Sequence, residues 1–448
     1  MATVIPCSAP LAAVELGRRP FARIRPDLAP GAWPRLEQAC EEARGLLDGR
    51  TVWSINSTAL GGGVAEMQRT LLPYWRAAGL DARWLVMNGP RDFFRFTKRL
   101  HNLLHGRGLP RPGPSDRALF EQIGRATAAE AAALVAPGDV VVLQDPQTAA
   151  LVSPLRRAGA SVVWRCHVGA DTMSPPVEAA WSFLLPYVEE ADAFVFTRRA
   201  FVPEGLPAER VSLLSPAIDP RSEKNRPLVP GAARVLLDRW NLAPVGPEDR
   251  LIVALGRWDR LKDPIGILHA FADHVDDPRA FLVLAGPAVG VVADDPEAAH
   301  VLTDVNLAWR SLPPPRRERV QVAALPMADL EENALVVNAL QREAAVIVKK
   351  SLHEGFGLGV TEGMWKAKPV VATRVGGHRD QIEHGRSGLL VDDPADLRAF
   401  AAAIDELLAD PLLGLELGAA GRERVRARYL ADRHFVSWID VLRRLLAR

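Results

Sequence analysis

Cysteine is scarce. The 448 residues contain three, Cys7, Cys40 and Cys166, far apart and in no CxxC pair. That argues against a disulfide framework or a cysteine-ligated zinc site and fits a reducing, cytoplasmic setting. An excess of either charge is also missing: 55 Lys and Arg stand against 54 Asp and Glu, for a net charge of +1. No nucleic acid and no anionic membrane is therefore expected as partner, and an anionic ligand would have to be held by a few placed cations. No run of about 18 apolar residues exists, so no transmembrane helix is expected. The opening MATVIPCSAPLAAVELGRRP has an apolar stretch but lacks the basic head of a secretory signal. Several catalytic signatures are absent. No compact Asp-x-Asp pair ends a strand, which argues against an obligatory divalent metal, and no G-x-S-x-G nucleophile elbow occurs. His101 and His105 lie i, i+4 on a helical stretch without the acidic partner of an H-E-x-x-H site, and read as structural or surface groups.

What is present is an ordinary globular composition, 48% hydrophobic and 24% charged, at a length that suits two domains of about 200 residues. Residues 1–33 are proline-rich and are expected to be irregular surface chain. A helix is expected from Pro34 to about Leu47, with proline at its first position. A β-rich run at Thr51–Asn56 leads into three glycines and a helix from Val64 to about Ala78. Short apolar runs recur at 82–87, 140–143, 161–166, 193–196 and 211–214, with helical stretches between. Such alternation means parallel sheet, and runs apolar throughout mean that both faces are covered. Residues 215–230 (SPAIDPRSEKNRPLVP) are polar and proline-rich and read as an interdomain linker. The alternation restarts at 251–255, 280–285, 320–323, 345–349, 369–373 and 388–391. The expectation is an α/β chain with two Rossmann-like, doubly wound parallel-sheet domains, residues 1–218 and 219–430, facing a central cleft at the carboxyl ends of their strands. The stretch 431–448 reads as a terminal helix with the option of packing back on the first domain.

The richest segment is Glu354–Glu362, EGFGLGVTE, directly after a buried strand and opening a helix. Its glycines permit close backbone approach to a ligand, and a helix N-terminus offers unpaired N–H groups to phosphate. Glu362 is suited to accept from ribose hydroxyls and Glu354 from a sugar. The bland alternative is a plain β–loop–helix turn. In GRWDRLKDP (256–264), Arg257 and Lys262 follow another strand, and two fixed cations stabilise a departing diphosphate in place of a metal. Arg260 is the candidate for a solvated member of that group, and a charged surface loop is the alternative for all three. Gly61-Gly62-Gly63 precede a helix in a phosphate-cradle arrangement. The second strand ends Val86-Met87-Asn88 with no acidic residue there, which disfavours a nicotinamide-dinucleotide site. A plain turn stays open for these glycines. His167 (WRCHV) and Asp145 (LQDPQ) each end a strand and read as acceptor-side groups, with a satisfied structural histidine as the alternative.

GRWDRLKDP, EGFGLGVTE and VVATRVGGHRDQI resemble the large family of retaining glycosyltransferases with two Rossmann-like domains, the GT-B type. NSTALGGGVAEM, RDFFRFTKRLHNLLHG, QDPQ, WRCHV and SPAIDPRSEKN resemble, more narrowly, the trehalose glycosyltransferring synthases and, more distantly, retaining trehalose phosphorylases. The resemblance implies that Arg257 and Lys262 bind the donor diphosphate, Glu362 the ribose and Glu354 the hydroxyls of the donor sugar. Gly355, Phe356, Gly357 and Leu358 would complete the donor site, Gly62 and Gly63 would approach the phosphates, and His167 would contact the transferred sugar. It implies glucose transfer from a nucleoside-diphosphate-glucose to glucose with retained configuration, the leaving phosphate taking the acceptor's proton, with no cofactor and no obligatory metal. A homodimer is compatible with it. Those synthases usually follow the histidine with Ile-Asp or a similar polar pair, whereas here the run is His167-Val168-Gly169-Ala170-Asp171. A different acceptor (a polyol, an aminocyclitol or a natural-product sugar) and phosphorolysis of trehalose are the alternatives, ahead of a non-catalytic sugar-nucleotide binder. The nucleobase is left open.

Overall fold

The computed structural model describes residues 9–246, 248–289 and 297–447; Cys7 lies outside them. The chain divides into two compact units. Among the described residues, the first comprises 9–217 and 431–447, and the second 218–289 (less residue 247) and 297–430.

The first unit holds a seven-stranded sheet: β1 (Leu11–Val14), β2 (Thr51–Asn56), β3 (Asp81–Met87), β4 (Val140–Gln144), β5 (Ser161–Cys166), β6 (Ala193–Phe196) and β7 (Val211–Leu213), in the order β1-β3-β2-β4-β5-β6-β7. Every neighbouring pair is parallel except β1 on β3. β4 is buried at all five positions, because helices cover both faces of such a sheet. The irregular start expected for residues 1–33 is corrected in two places. Leu11–Val14 pairs antiparallel along β3, Leu11 opposite Met87 and Val14 opposite Trp84, and Phe21–Asp27 forms a 3-10 turn. Four residues carry too little pattern to announce a strand; the open edge of β3 supplies it. The first helix spans Ala32–Leu46, two residues ahead of Pro34, which its first turn tolerates since those N–H groups have no helical partner. The next helix begins at Gly62 rather than Val64.

The last helix, Ala431–Leu446, belongs to this unit. Phe435 meets Phe21 and Trp75 with ring centroids 5.1 and 5.5 Å apart, and Trp438 lies 6.2 Å from Trp75. Edge-on aromatic packing of this kind adds to the area it buries. Arg443 forks onto both carboxylate oxygens of Glu42 in the first helix.

The second unit holds β8 (Arg250–Leu255), β9 (Ala280–Pro287), β10 (Val320–Leu325), β11 (Val346–Lys349), β12 (Val370–Thr373) and β13 (Leu389–Val391), all parallel, in the order β10-β9-β8-β11-β12-β13. Counted within the unit this is 3-2-1-4-5-6, the doubly wound order, whose direction reverses between β8 and β11; loops diverge there and leave a crevice for ligands. Residues 215–230 do contain the junction between the units. The unit boundary falls at Ala217, and the following turn is packed into the second unit, with Asp219 and Asn225 each 1% exposed. Among the described residues no helix is long and apolar enough to cross a membrane.

Candidate functional site

The loop after β8 begins at Gly256. Trp258, 1% exposed, pins it by donating from Nε1 to the Pro287 carbonyl over 2.8 Å. Asp259 accepts from the Leu261 N–H at 2.8 Å and closes a 3-10 turn over Arg260–Lys262. Asp263, at φ 48°, then caps the helix Pro264–His274 through the Gly266 N–H. The loop after β11 is stitched to this one: the Leu352 N–H donates to the Leu261 carbonyl over 2.7 Å, and the Lys350 ammonium bonds Asp263 and the Pro394 carbonyl. Two loops leaving β8 and β11 in opposite directions are thus tied at the switch point.

The tie sets Lys262 against Glu354. Its Nζ lies 2.5 Å from Glu354 Oε2, which also accepts from Ser351 Oγ at 3.0 Å. Burial pushes the Glu354 carboxyl up, but Lys262 and the other neighbours outweigh it and hold the group at about 2, so it is ionised. His378 faces the same oxygen at 3.7 Å. Its Nδ1–H donates to the Thr373 carbonyl at 3.0 Å, and burial pushes its pKa down to about 4. At neutral pH the ring is uncharged and turns a bare Nε2 toward the carboxylate. Glycines make this packing possible. A Cβ on Gly376 would sit 1.6 Å from the Glu354 carbonyl oxygen, and one on Gly377 2.4 Å from Phe356 Cα.

Gly357, at φ 90°, leads into the helix Leu358–Trp365, which no side chain caps. Its first N–H groups are therefore offered to an anion. Phe356 contributes backbone only, since its ring packs edge-on against Tyr429 at 5.5 Å. Glu362 lies in the second turn of this helix, not the first. Its Oε2 accepts from Gln341 Nε2 at 3.0 Å and its Oε1 lies 3.5 Å from Lys224 Nζ. Burial opposes its ionisation, but Lys224, Lys366 and Lys349 together lower its pKa. Lys349, at the end of β11, bonds the Leu255 carbonyl and is pushed down to about 8 by burial. Gly359 makes its room, because a Cβ there would lie 2.4 Å from the ammonium nitrogen. Arg257 leans toward Asp259 on its own loop, Nη2 to Oδ2 3.5 Å. Arg260 is turned outward, 64% exposed and paired with Asp304.

Among the residues named from sequence, the structure brings Lys262 and Glu354 together and puts Glu362 on the helix behind them. Sequence reasoning missed Lys224, Gln341, Lys349, Lys366 and His378. A signal existed for three of these: SPAIDPRSEKN, quoted for its resemblance, contains Lys224, AVIVKK ends a buried strand in charge, and GGH follows another strand.

In the first unit the sheet order reverses between β2 and β4. Gly61 and Gly62, at φ 71° and 75°, follow β2, and nothing lies within 4 Å of a Cβ built on Gly62. Gly63 continues the helix that Gly62 begins. Asp145, at φ 63°, follows β4 and accepts from the His167 N–H at 2.7 Å. His167 is 7% exposed, and its Nε2 lies 2.9 Å from Gln144 Oε1, an oxygen that only accepts. Burial holds it well below the usual histidine range, so it is neutral with a bare Nδ1. Behind it Arg165, 2% exposed, donates to His434 on the terminal helix at 3.2 Å. His105 is structural, its Nδ1 donating to the Gly169 carbonyl at 2.9 Å.

Residues 331–424 match the family described as glycosyl transferases group 1, and residues 54–203 match the trehalose synthase N-terminal domain. The fold resembles that of the UDP-forming α,α-trehalose-phosphate synthase from Burkholderia xenovorans solved with glucose-6-phosphate. The TM-score is 0.71 at 16% identity, covering 89% of this chain and 100% of that one. Fold and site together define a glycosyltransferase-type enzyme of the two-domain, GT-B class. The chain is 37% identical over 404 residues to a trehalose synthase of Rubrobacter xylanophilus, covering 88% of this chain and 90% of that protein. It is 32% identical over 405 residues to one of Pyrococcus horikoshii, covering 90% and 92%. It belongs to the trehalose synthase family.

Proposed function

We propose that the chain moves glucose from a nucleoside-diphosphate-glucose to glucose, with retained anomeric configuration, to give trehalose. The observation that carries this reading is the Lys262–Glu354 pair, 2.5 Å apart at the switch point, beside the uncapped helix start at Leu358. An ammonium already in place needs no reorganisation when a phosphate oxygen gains charge. In the proposed step the bond from the anomeric carbon to the diphosphate oxygen breaks as the bond to the acceptor oxygen forms. The acceptor's proton passes to the departing diphosphate, on the same face. Arg257, Lys262 and the N–H groups of Leu358 and its neighbours receive the diphosphate. Glu354 accepts from hydroxyls of the glucosyl group, Glu362 accepts from the ribose, and Gly62 and Gly63 approach the phosphates. His167 accepts at its bare Nδ1 from the transferred sugar, with Asp145 fixing its backbone.

Two cations in the leaving-group position make a divalent metal unnecessary, and the near-zero net charge supports neither nucleic acid nor membrane as partner. The test is incubation of the purified chain, with and without EDTA, with UDP-glucose or ADP-glucose plus glucose. Trehalose and the matching diphosphate are expected in both series. Trehalose formed from maltose with no nucleotide, or trehalose cleaved only when phosphate is supplied, would overturn the proposal. A second acceptor panel of polyols and aminocyclitols reads the acceptor directly.

A further inference from the structure

The turn Asp219–Arg226 has the composition of a tether, yet it is gripped at almost every residue. Asn225 Nδ2 donates to the Asp219 carbonyl at 3.1 Å, and Asn225 Oδ1 accepts from Lys366 Nζ at 3.0 Å. Asn338 Nδ2, on the helix Leu330–Glu343, donates to the carbonyls of both Glu223 and Arg226 at 2.9 Å. Arg342 donates to the Asn225 carbonyl at 3.2 Å. The backbone on both sides of Lys224 is therefore fixed, and the side chain that this frame delivers ends 3.5 Å from Glu362 Oε1. The other carboxylate oxygen is held by Gln341 at 3.0 Å. A hydrogen bond on one oxygen and an ammonium facing the other constrain the plane of a carboxylate as well as its place.

We propose that the turn Asp219–Arg226 is part of the donor site, and that Lys224 is a positioning residue that aims Glu362 at the ribose of the nucleotide. This rests on reading Glu362 as the ribose acceptor. The charged groups facing Glu362 come from three elements: Lys224 from the turn, Lys349 from β11 and Lys366 from the end of its own helix, with the neutral Gln341 beside them. Lys366 and Lys349 also bond Asn225 and the Leu255 carbonyl. Lys224 is the ammonium set on Oε1, and its side chain is 20% exposed against 5% for Glu362. A ligand arriving at Glu362 thus meets a carboxylate whose lone pairs are already oriented.

The experiment measures binding of UDP, ADP and inorganic pyrophosphate to the full chain and to its Lys224→Met, Lys224→Gln, Lys224→Arg and Glu362→Gln variants. Pyrophosphate has no ribose. Lys224→Met and Lys224→Gln are expected to weaken UDP and ADP roughly tenfold or more, on the scale of one hydrogen bond to a charged group, and to leave pyrophosphate unchanged. Lys224→Arg is expected to restore most of the loss. In Lys224→Met the carboxyl loses a positive neighbour, so the fall of nucleotide affinity on acidification should begin at a higher pH than in the parent. Equal weakening of all three ligands would overturn the proposal, because that marks a lysine bound to phosphate. So would unchanged nucleotide binding in Lys224→Met while Glu362→Gln loses it. If Glu362→Gln keeps full nucleotide affinity, the ribose reading itself fails, a separate outcome. A melting curve on each variant identifies any that do not fold, and the Gln and Arg variants keep the question decidable if Met does not.

Discussion

Lys262 and Glu354 lie 92 residues apart in the chain and 2.5 Å apart in space. The first leaves β8 and the second leaves β11, neighbours at the place where the sheet changes direction. Each is only partly screened: the lysine side chain is 28% exposed and the glutamate 10%. The pair is open enough for a ligand to displace one partner and buried enough for the remaining charge to matter.

Lys262→Ala is therefore expected to lower turnover by about 10²-fold or more, on the scale of removing one donor to a developing oxyanion. The circular dichroism spectrum should not change, since Lys262 stands on a loop and not in the hydrophobic core. Steady-state rates at saturating donor check it; a rate near that of the parent would mean that the leaving group sits elsewhere.

Acid sensitivity follows from three buried histidines. His167, His378 and His434 all have pKa values below the ordinary 6.5, with burial as the main cause, and His378 falls to about 4. The unfolded chain binds these protons first on acidification, so stability is complete above about 6.5 and is lost as pH falls toward 4. Glu354, held at about 2 against 4.5 unfolded, continues the loss below about 4.5. Melting temperatures across pH 8 to 4 should fall, most steeply below 6.5. His378→Gln should flatten part of that slope; a curve level down to pH 5 would contradict the neutral rings.

Gly376→Ala should abolish nucleotide binding. The new Cβ would stand 1.6 Å from the Glu354 carbonyl oxygen at a φ of 47°, so the glutamate loop must move. Gly385→Ala is the control: its φ is also positive, at 73°, but nothing lies within 4 Å. There only the left-handed backbone strain of about 1–2 kcal/mol is expected, with binding intact. Isothermal titration with UDP on both variants separates the two effects.

Phe435→Ala should cost about 3–5 kcal/mol, because the ring is 1% exposed and touches both Phe21 and Trp75. Urea unfolding followed by tryptophan fluorescence reads this directly.

Much of the fold could be read from the chain because its strands are apolar on both faces and its helices fall between them, which is a local signal. β1 could not, since four residues beside prolines acquire their conformation from the exposed edge of β3. Glu354, Glu362, Arg257 and Lys262 drew attention because they flank glycine turns just beyond strands. Lys224 did not. It sits among Pro, Ser and Asn, the composition of a linker, and its importance arises from Asn338 and Arg342 more than a hundred residues on. His378 appeared only inside VVATRVGGHRDQI, with no role of its own, because its meeting with Glu354 depends on two glycines having no side chains.

The helix that carries Phe435 and Trp438 has a temporal consequence. On the ribosome, the aromatic nest around Phe21 and Trp75 must wait while residues 218–430 are made, roughly 10–40 s at about 5–20 residues per second. During that interval the later-born unit can begin to pack as it emerges, whereas the earlier-born one still shows oily rings to water or to a chaperone. Synthesis order and completion order are reversed.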